Sequence, residues 1–226
     1  MSSEGAPEQA PDLLRVDLAT VVESVRTALG GAHAAREAAL RSCREAIRHS
    51  SLSIRSVHRL DPDGAASEAG LAEVAVRSAQ EVLAPYPRLA AAGFLHDAEK
   101  EYAEALLTRC LVAGGPLPGP DAVGVSGPAW LNGLAEAASE LRRHLLDRLR
   151  DGELGRGKDL LAAMEACYDV LVTVDWPDAV TGGLRRTTDA LRAVLERSRA
   201  DVTTTIVQER LRRAVEGLGG VGPPVA

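Results

Sequence analysis

Five clusters of proline, glycine and aspartate divide this chain: "LDPDG" at Leu60–Gly64, "APYPR" at Ala84–Arg88, "AGGPLPGPDAVGVSGP" at Ala113–Pro128, "DGELGRG" at Asp151–Gly157 and "DWPDAVTGG" at Asp175–Gly183. Between them apolar residues recur at helical spacing, and alternating β-branched runs are nearly absent. Alanine, leucine and arginine dominate these segments, residues that lose little side-chain freedom in a helix. Hydrophobic residues make up 46% of the 226-residue chain but aromatics only 3%. The pattern predicts an all-α fold, an antiparallel bundle of six or seven helices. They span roughly Leu13–Leu29, Ala32–Arg59, Ala66–Leu83, Leu89–Val112, Ala129–Arg150, Lys158–Val174 and Leu184–Leu218. Leu184, Leu191, Leu195, Val202 and Ile206 are spaced by seven and four, a coiled-coil-like seam suited to such a bundle.

The organisation expected is one helical domain over residues 12–218, with a disordered N-terminus at 1–11 and a flexible tail at 219–226. No apolar run approaches the ~20 residues of a membrane span, and the polar start "MSSEGAPEQAP" has no signal core, so a soluble cytoplasmic protein with no membrane partner is expected. Cys43, Cys110 and Cys167 lie far apart in apolar helical settings and read as reduced core cysteines.

Two charge patterns carry chemistry. In "HDAEKEYAEALL" (His96–Leu107), Asp97, Glu101 and Glu104 fall within about 60° on a helical wheel, beside an apolar stripe of Ala98, Tyr102, Ala105 and Leu106. Glu99 points elsewhere and is expected in solvent. In "NGLAEAASELRRHLLDRL", Glu136 and Glu140 are four apart, one above the other on a single face. Two adjacent helices with two carboxylates each can make a hard-oxygen pocket suited to Mg²⁺ or Mn²⁺. The competing explanation is ordinary helix-surface pairing, of Glu140 with Arg143 or His144 and of Asp97 with Lys100. Tyr102, His58 and His96 read as structural. The second pattern is Arg41, Arg44, Arg48, Arg55 and Arg59, which share about 60° of one face. That stripe can track a phosphate backbone, or it can be a solvated face paired to Glu37, Glu45 or a neighbouring helix. The formal net charge of -6 argues against a whole-surface nucleic-acid binder and leaves room for a local stripe. A redox di-metal bundle is disfavoured, since the Glu-x-x-His pairs of such bundles are missing: Glu101 is followed at that spacing by Glu104, and Glu140 by Arg143.

Four segments in order, "REAALRSCREAIRHSSLSIRSVHR", "AAGFLHDAEKEYAEALL", "WLNGLAEAASELRRHLLDRLRDGE" and "LVTVDWPDAVTGGLRRTTDALRAVLER", resemble the translin family, specifically its catalytic branch, translin-associated factor X and its prokaryotic relatives. The resemblance runs from about Ala32 to Val207. It implies an all-helical, translin-like fold and a closed, even-numbered homo-oligomer, an octamer, enclosing its RNA. It implies a Mg²⁺-dependent endoribonuclease of single-stranded RNA; Mn²⁺ is the other ion that suits the carboxylates. The family's Glu-x-x-Glu falls on Glu101 and Glu104 within "EYAEA", and its acid-x-x-x-Glu on Glu136 and Glu140 within "LAEAASELRR", as catalytic metal ligands. The animal catalytic subunit carries aspartate at the position of Glu136. The alternative from the same family is a non-catalytic oligomer that binds single-stranded RNA or DNA through the arginine stripe alone.

Overall fold

A computed structural model describes residues 12–219; the expectations for residues 1–11 and 220–226 lie outside these. Among the described residues nine helices follow in order: α1 (Asp12–His58), α2 (Pro62–Leu83), α3 (Pro87–Ala90), α4 (Phe94–Ala113), α5 (Pro120–Val123), α6 (Gly127–Arg150), α7 (Leu154–Leu171), α8 (Asp178–Thr181) and α9 (Leu184–Gly219). Six are long and three are four-residue turns, and no strand occurs among the described residues. None of the helices is long and apolar enough to cross a membrane.

The breaks act as their residues require. Asp61 caps α2, its Oδ1 accepting from the Gly64 amide at 2.9 Å, and Pro62 occupies the first turn, where a missing N–H costs nothing. Gly93 sits at φ +96°, a conformation closed to an ordinary side chain, and so splits the expected Leu89–Val112 helix into α3 and α4. One expectation fails in the other direction. The two helices expected over Leu13–Leu29 and Ala32–Arg59 are one: α1 runs unbroken through Gly30 and Gly31 for 47 residues. Glycine inside a helix costs only about 1 kcal/mol against alanine, and the alanines on both sides propagate the ladder across it. At the other terminus α9 continues to Gly219, past the expected end at Leu218.

α6 lies at the centre, packed on α4, α7 and α9, while α4 also packs on α1 and α2. Leu141, Leu145 and Met164 are wholly buried between α6, α7 and α9, each contributing roughly 1.5–3 kcal/mol on transfer from water. The seam is seen in α9: Leu184, Leu191, Leu195 and Val202 are buried, and Ile206 is half-buried. Cys43 and Cys167 are buried and Cys110 half-buried, all three as free thiols. The proline-rich loop after α4 is tied down, with Val123 and Val125 in the core and the Trp130 indole N–H donating to the Pro118 carbonyl at 2.9 Å.

Candidate metal centre and basic face

Helices α4 and α6 meet at their acids because α6 carries no side chain at Gly133. A Cβ there would stand 2.8 Å from Ala103 Cβ and 2.9 Å from both the Glu104 amide nitrogen and the Lys100 carbonyl oxygen. Two of those neighbours are backbone, so α6 approaches α4 this closely only with glycine. Gly133→Ala is therefore expected to push the helices apart at the acids and to cost about 1–3 kcal/mol of unfolding free energy. A denaturant midpoint equal to the parent's would refute the close-packing argument.

The approach brings Glu101, Glu104 and Glu136 together, with one carboxylate oxygen from each within 4.8 Å of the others. Glu104 is buried, and Glu101 and Glu136 are half-buried. Burial, then the charges of Glu136, Glu101 and Glu140, push the Glu104 carboxyl up to about 9. Lys100 reaches into the cluster, its Nζ donating to Glu136 Oε1 at 2.9 Å and standing 3.3 Å from Glu101 Oε1. Burial works against the lysine's charge, but the hydrogen bonds and charges of Glu136 and Glu101 outweigh it, so its pKa is raised. Even with Glu104 holding its proton, Glu101 and Glu136 against one ammonium leave the centre short of positive charge. All the converging donors are hard oxygens, the set that suits Mg²⁺ or Mn²⁺. Three of the four sequence-derived ligands thus converge on one point.

Glu140 is turned differently. Its Oε2 accepts from His58 Nε2 at 2.7 Å, and His58 Nδ1 in turn lies 3.2 Å from His144 Nε2. Its charge still contributes to the raised pKa of Glu104. Neither surface pairing considered for these acids forms: Glu140 bonds His58 across 82 residues of sequence rather than Arg143 or His144, and Lys100 bonds Glu136 and Glu101 rather than Asp97. Asp97 is exposed and outside the cluster. Tyr102 is buried as expected, its phenol pushed up to about 12 by burial and then by Glu73.

Glu99 corrects the helical-wheel reading. It is only 6% exposed: Oε2 accepts from the amide and hydroxyl of Ser126 at 3.1 and 2.7 Å, and Oε1 from Gln80 Nε2 at 2.7 Å. These bonds fix the start of α6 on α4. The wheel placed Glu99 away from the acids, which is right, but that face is covered by the incoming loop rather than by water.

On α1, Cys43 and Val57 are buried and Ile47 and Ile54 half-buried, which turns Arg41, Arg44, Arg48 and Arg55 outward. All four are exposed, as is Arg59 just beyond the helix end. Among the described residues none of the five forms an ion pair; Arg44 Nε donates to the Leu40 carbonyl at 3.1 Å and Arg59 to Ser56 Oγ at 3.3 Å. At 100° per residue, His58 lies about 40–100° around α1 from the stripe, so the arginines border the face that meets Glu140.

No protein-family model matches the chain. An uncharacterized protein of Methanocaldococcus jannaschii is 28% identical over 189 residues, covering 81% of this chain and 83% of that protein. AfC3PO, solved as a complex with duplex RNA, superposes with a TM-score of 0.77 at 30% identity, over 83% of this chain and 97% of that one. The structure of apo-NeC3PO gives 0.73 at 18% identity over 88% and 99%, a likeness of fold alone.

Proposed function

The chain belongs to the translin family, and we propose that it is a Mg²⁺-dependent endoribonuclease of that family's catalytic branch, cutting single-stranded RNA inside a closed homo-oligomer, most simply an octamer. The observation that carries this reading is the convergence of Glu101, Glu104 and Glu136 from two helices around a buried, proton-retaining carboxyl. Packing like charges together is costly unless a cation compensates them. The capture of AfC3PO with duplex RNA supports RNA as the ligand class.

In this reading Glu101, Glu104 and Glu136 form the core of the ligand set and Glu140 supplies the fourth carboxylate. When bound there, Mg²⁺ would supply Lewis-acid chemistry for an attacking water and the scissile phosphate. A carboxylate oxygen left outside the ligand set accepts that water's proton. Arg44, Arg48 and Arg55 hold flanking phosphates, and Arg41 and Arg59 extend the track. Lys100 neutralises part of the acidic charge before an ion arrives. Assembly is supported by apolar side chains left exposed in one subunit: Leu18, Val21, Val22, Val25 and Leu29 on α1, and Val207, Leu211 and Val215 on α9. Further copies of this chain would cover them.

One observation favours the family's non-catalytic alternative: Lys100 already gives the acids a partner, so the cluster has some compensation without an ion. The deciding experiment incubates the purified protein, its mass checked by light scattering, with labelled single-stranded and duplex RNA, with Mg²⁺ or with chelator. Internal cuts in the single strand that require Mg²⁺, from a multi-subunit particle, are expected. Binding without cleavage at any Mg²⁺ concentration would establish the alternative.

A further inference from the structure

Two histidines from different helices lie side by side next to the acids. His58 ends α1 and His144 lies in the C-terminal half of α6, with ring centroids 5.0 Å apart and ring planes 27° from parallel. The His58 side chain is 7% exposed, and His144 is 6% exposed. Burying two imidazoles costs hydration that a pair of apolar side chains would not forfeit. Burial, and then the neighbouring His58, hold His144 below the ordinary imidazole range. One proton is shared between His58 Nδ1 and His144 Nε2. Whichever ring supplies it, the acceptor-only carboxylate of Glu140 requires the His58 Nε2–H as donor. The imidazole is therefore fixed at both nitrogens, by His144 at one edge and by Glu140 at the other. One oxygen of Glu140 is held, and the other is left unassigned by any hydrogen bond from this pair.

We propose that His58, braced by His144, is a positioning residue that holds the Glu140 carboxylate beside the Glu101–Glu104–Glu136 trio, with its second oxygen free to join the ligand set when an ion is bound. The proposal rests on the ligand set put forward above. Carboxylate ligands are commonly held in this way by a second layer of donors, and loss of such a donor costs about 10–100-fold in metal affinity or activity. Without His58 the Glu140 side chain, 36% exposed, is free to swing into solvent. Its entropy must then be given up again on each metal-binding event. The effect is one of orientation, so a replacement that keeps a donor at that edge keeps most of the function.

The test compares His58→Leu, which fills the space without a donor, with His58→Gln, whose amide can still donate. Mn²⁺ affinity without RNA is read from the paramagnetic signal of the free ion, alongside kcat and KM for single-stranded RNA. His58→Leu is expected to bind Mn²⁺ about 10–100-fold more weakly, with lower kcat and unchanged KM, while His58→Gln recovers most of the affinity. A folded His58→Leu protein with parental Mn²⁺ affinity, or a glutamine variant as impaired as the leucine one, overturns the proposal. Should His58→Leu fail to fold, His144→Leu removes only the brace. A several-fold loss of Mn²⁺ affinity is then expected, and parental affinity overturns the proposal. Glu104→Gln separates the two layers of argument. If the parent shows no Mn²⁺ binding that this substitution abolishes, the ligand set itself falls and the positioning role falls with it. If parental binding depends on Glu104 but not on His58, only the positioning role falls.

Discussion

Glu104→Gln is expected to abolish RNA cleavage by orders of magnitude while making the metal-free protein more stable at neutral and alkaline pH. Glutamine keeps the size and helix propensity of glutamate and removes the charge. In the folded protein burial, then Glu136, Glu101 and Glu140, raise this carboxyl from an ordinary 4.5 to about 9. An acid whose folded-state pKa lies above its unfolded value binds more protons in the native state between those two values. Stability is then fully present at the acidic end and declines as pH rises through the window. Metal-free parent protein should therefore lose melting temperature between roughly pH 5 and pH 9, and the glutamine variant should show a shallower decline. Mg²⁺ should restore the parent at the alkaline end, because the ion compensates the charge that deprotonation exposes, and should do far less for the variant. Glu101→Gln should lose cleavage likewise, since that carboxylate lies in the same trio. If the acids are only helix-surface pairs, the substitutions would slightly destabilise the fold, by ~0–1 kcal/mol, and leave cleavage intact. Melting and cleavage measured on one preparation, across pH and with and without Mg²⁺, separate the two outcomes. A Glu104→Gln protein that cuts RNA at the parent rate would remove the metal centre from the account.

What could be read in advance, and what could not, divides by range along the chain. Local signals carried the helices: Asp61–Pro62 starts α2 and the Pro/Gly-rich stretch after Ala113 ends α4, each a matter of capping or a missing N–H. Glu101 and Glu104 are three apart, so their shared face follows from helical geometry alone. The partners of the acids were not legible in this way. His58 and Glu140 are 82 residues apart, Lys100 and Glu136 are 36 apart, and Glu99 and Ser126 are 27 apart. For Glu140 and Lys100 the local reading offers surface neighbours at i+3 and i+4, and for Glu99 solvent; tertiary packing supplies a distant partner in all three cases. Gly133 left a fainter trace. A glycine in the interior of an otherwise strong helix-forming segment, one turn before Glu136, is a cost without a local benefit, and that points to a close approach by another backbone. Gly30 carries the same signature with open space around it, and a Cβ at Gly31 would meet only the tip of the Tyr86 side chain, at 3.1 Å. The residue alone does not distinguish the two cases; the helix that packs against it does.

Replacing Arg48 and Arg55 together by alanine should weaken single-stranded RNA binding and flatten its salt dependence. Both side chains are exposed, and neither has an ion-pair partner among the described residues. Their charge is therefore available to displace counterions from phosphate. Each lost contact to a single strand lowers the slope of log K against log salt by about 0.7, so the double variant should lose about 1.4. The affinity ratio between parent and variant should consequently shrink as salt is raised. Melting temperature should stay near the parent's, because exposed, unpaired arginines contribute little to the fold. An informative control lies near the C-terminal end of α9. Arg212 and Arg213 on α9 are also exposed, but both are bound to Glu209, and Arg212 also to Glu216, at 2.7–2.9 Å. Each would have to give up a carboxylate before meeting a phosphate, so the Arg212→Ala, Arg213→Ala protein should keep the parental slope. Equal losses in the two double variants would mean that RNA responds to net charge rather than to the stripe. A parental slope in the Arg48→Ala, Arg55→Ala protein would mean that α1 turns this face away from the RNA.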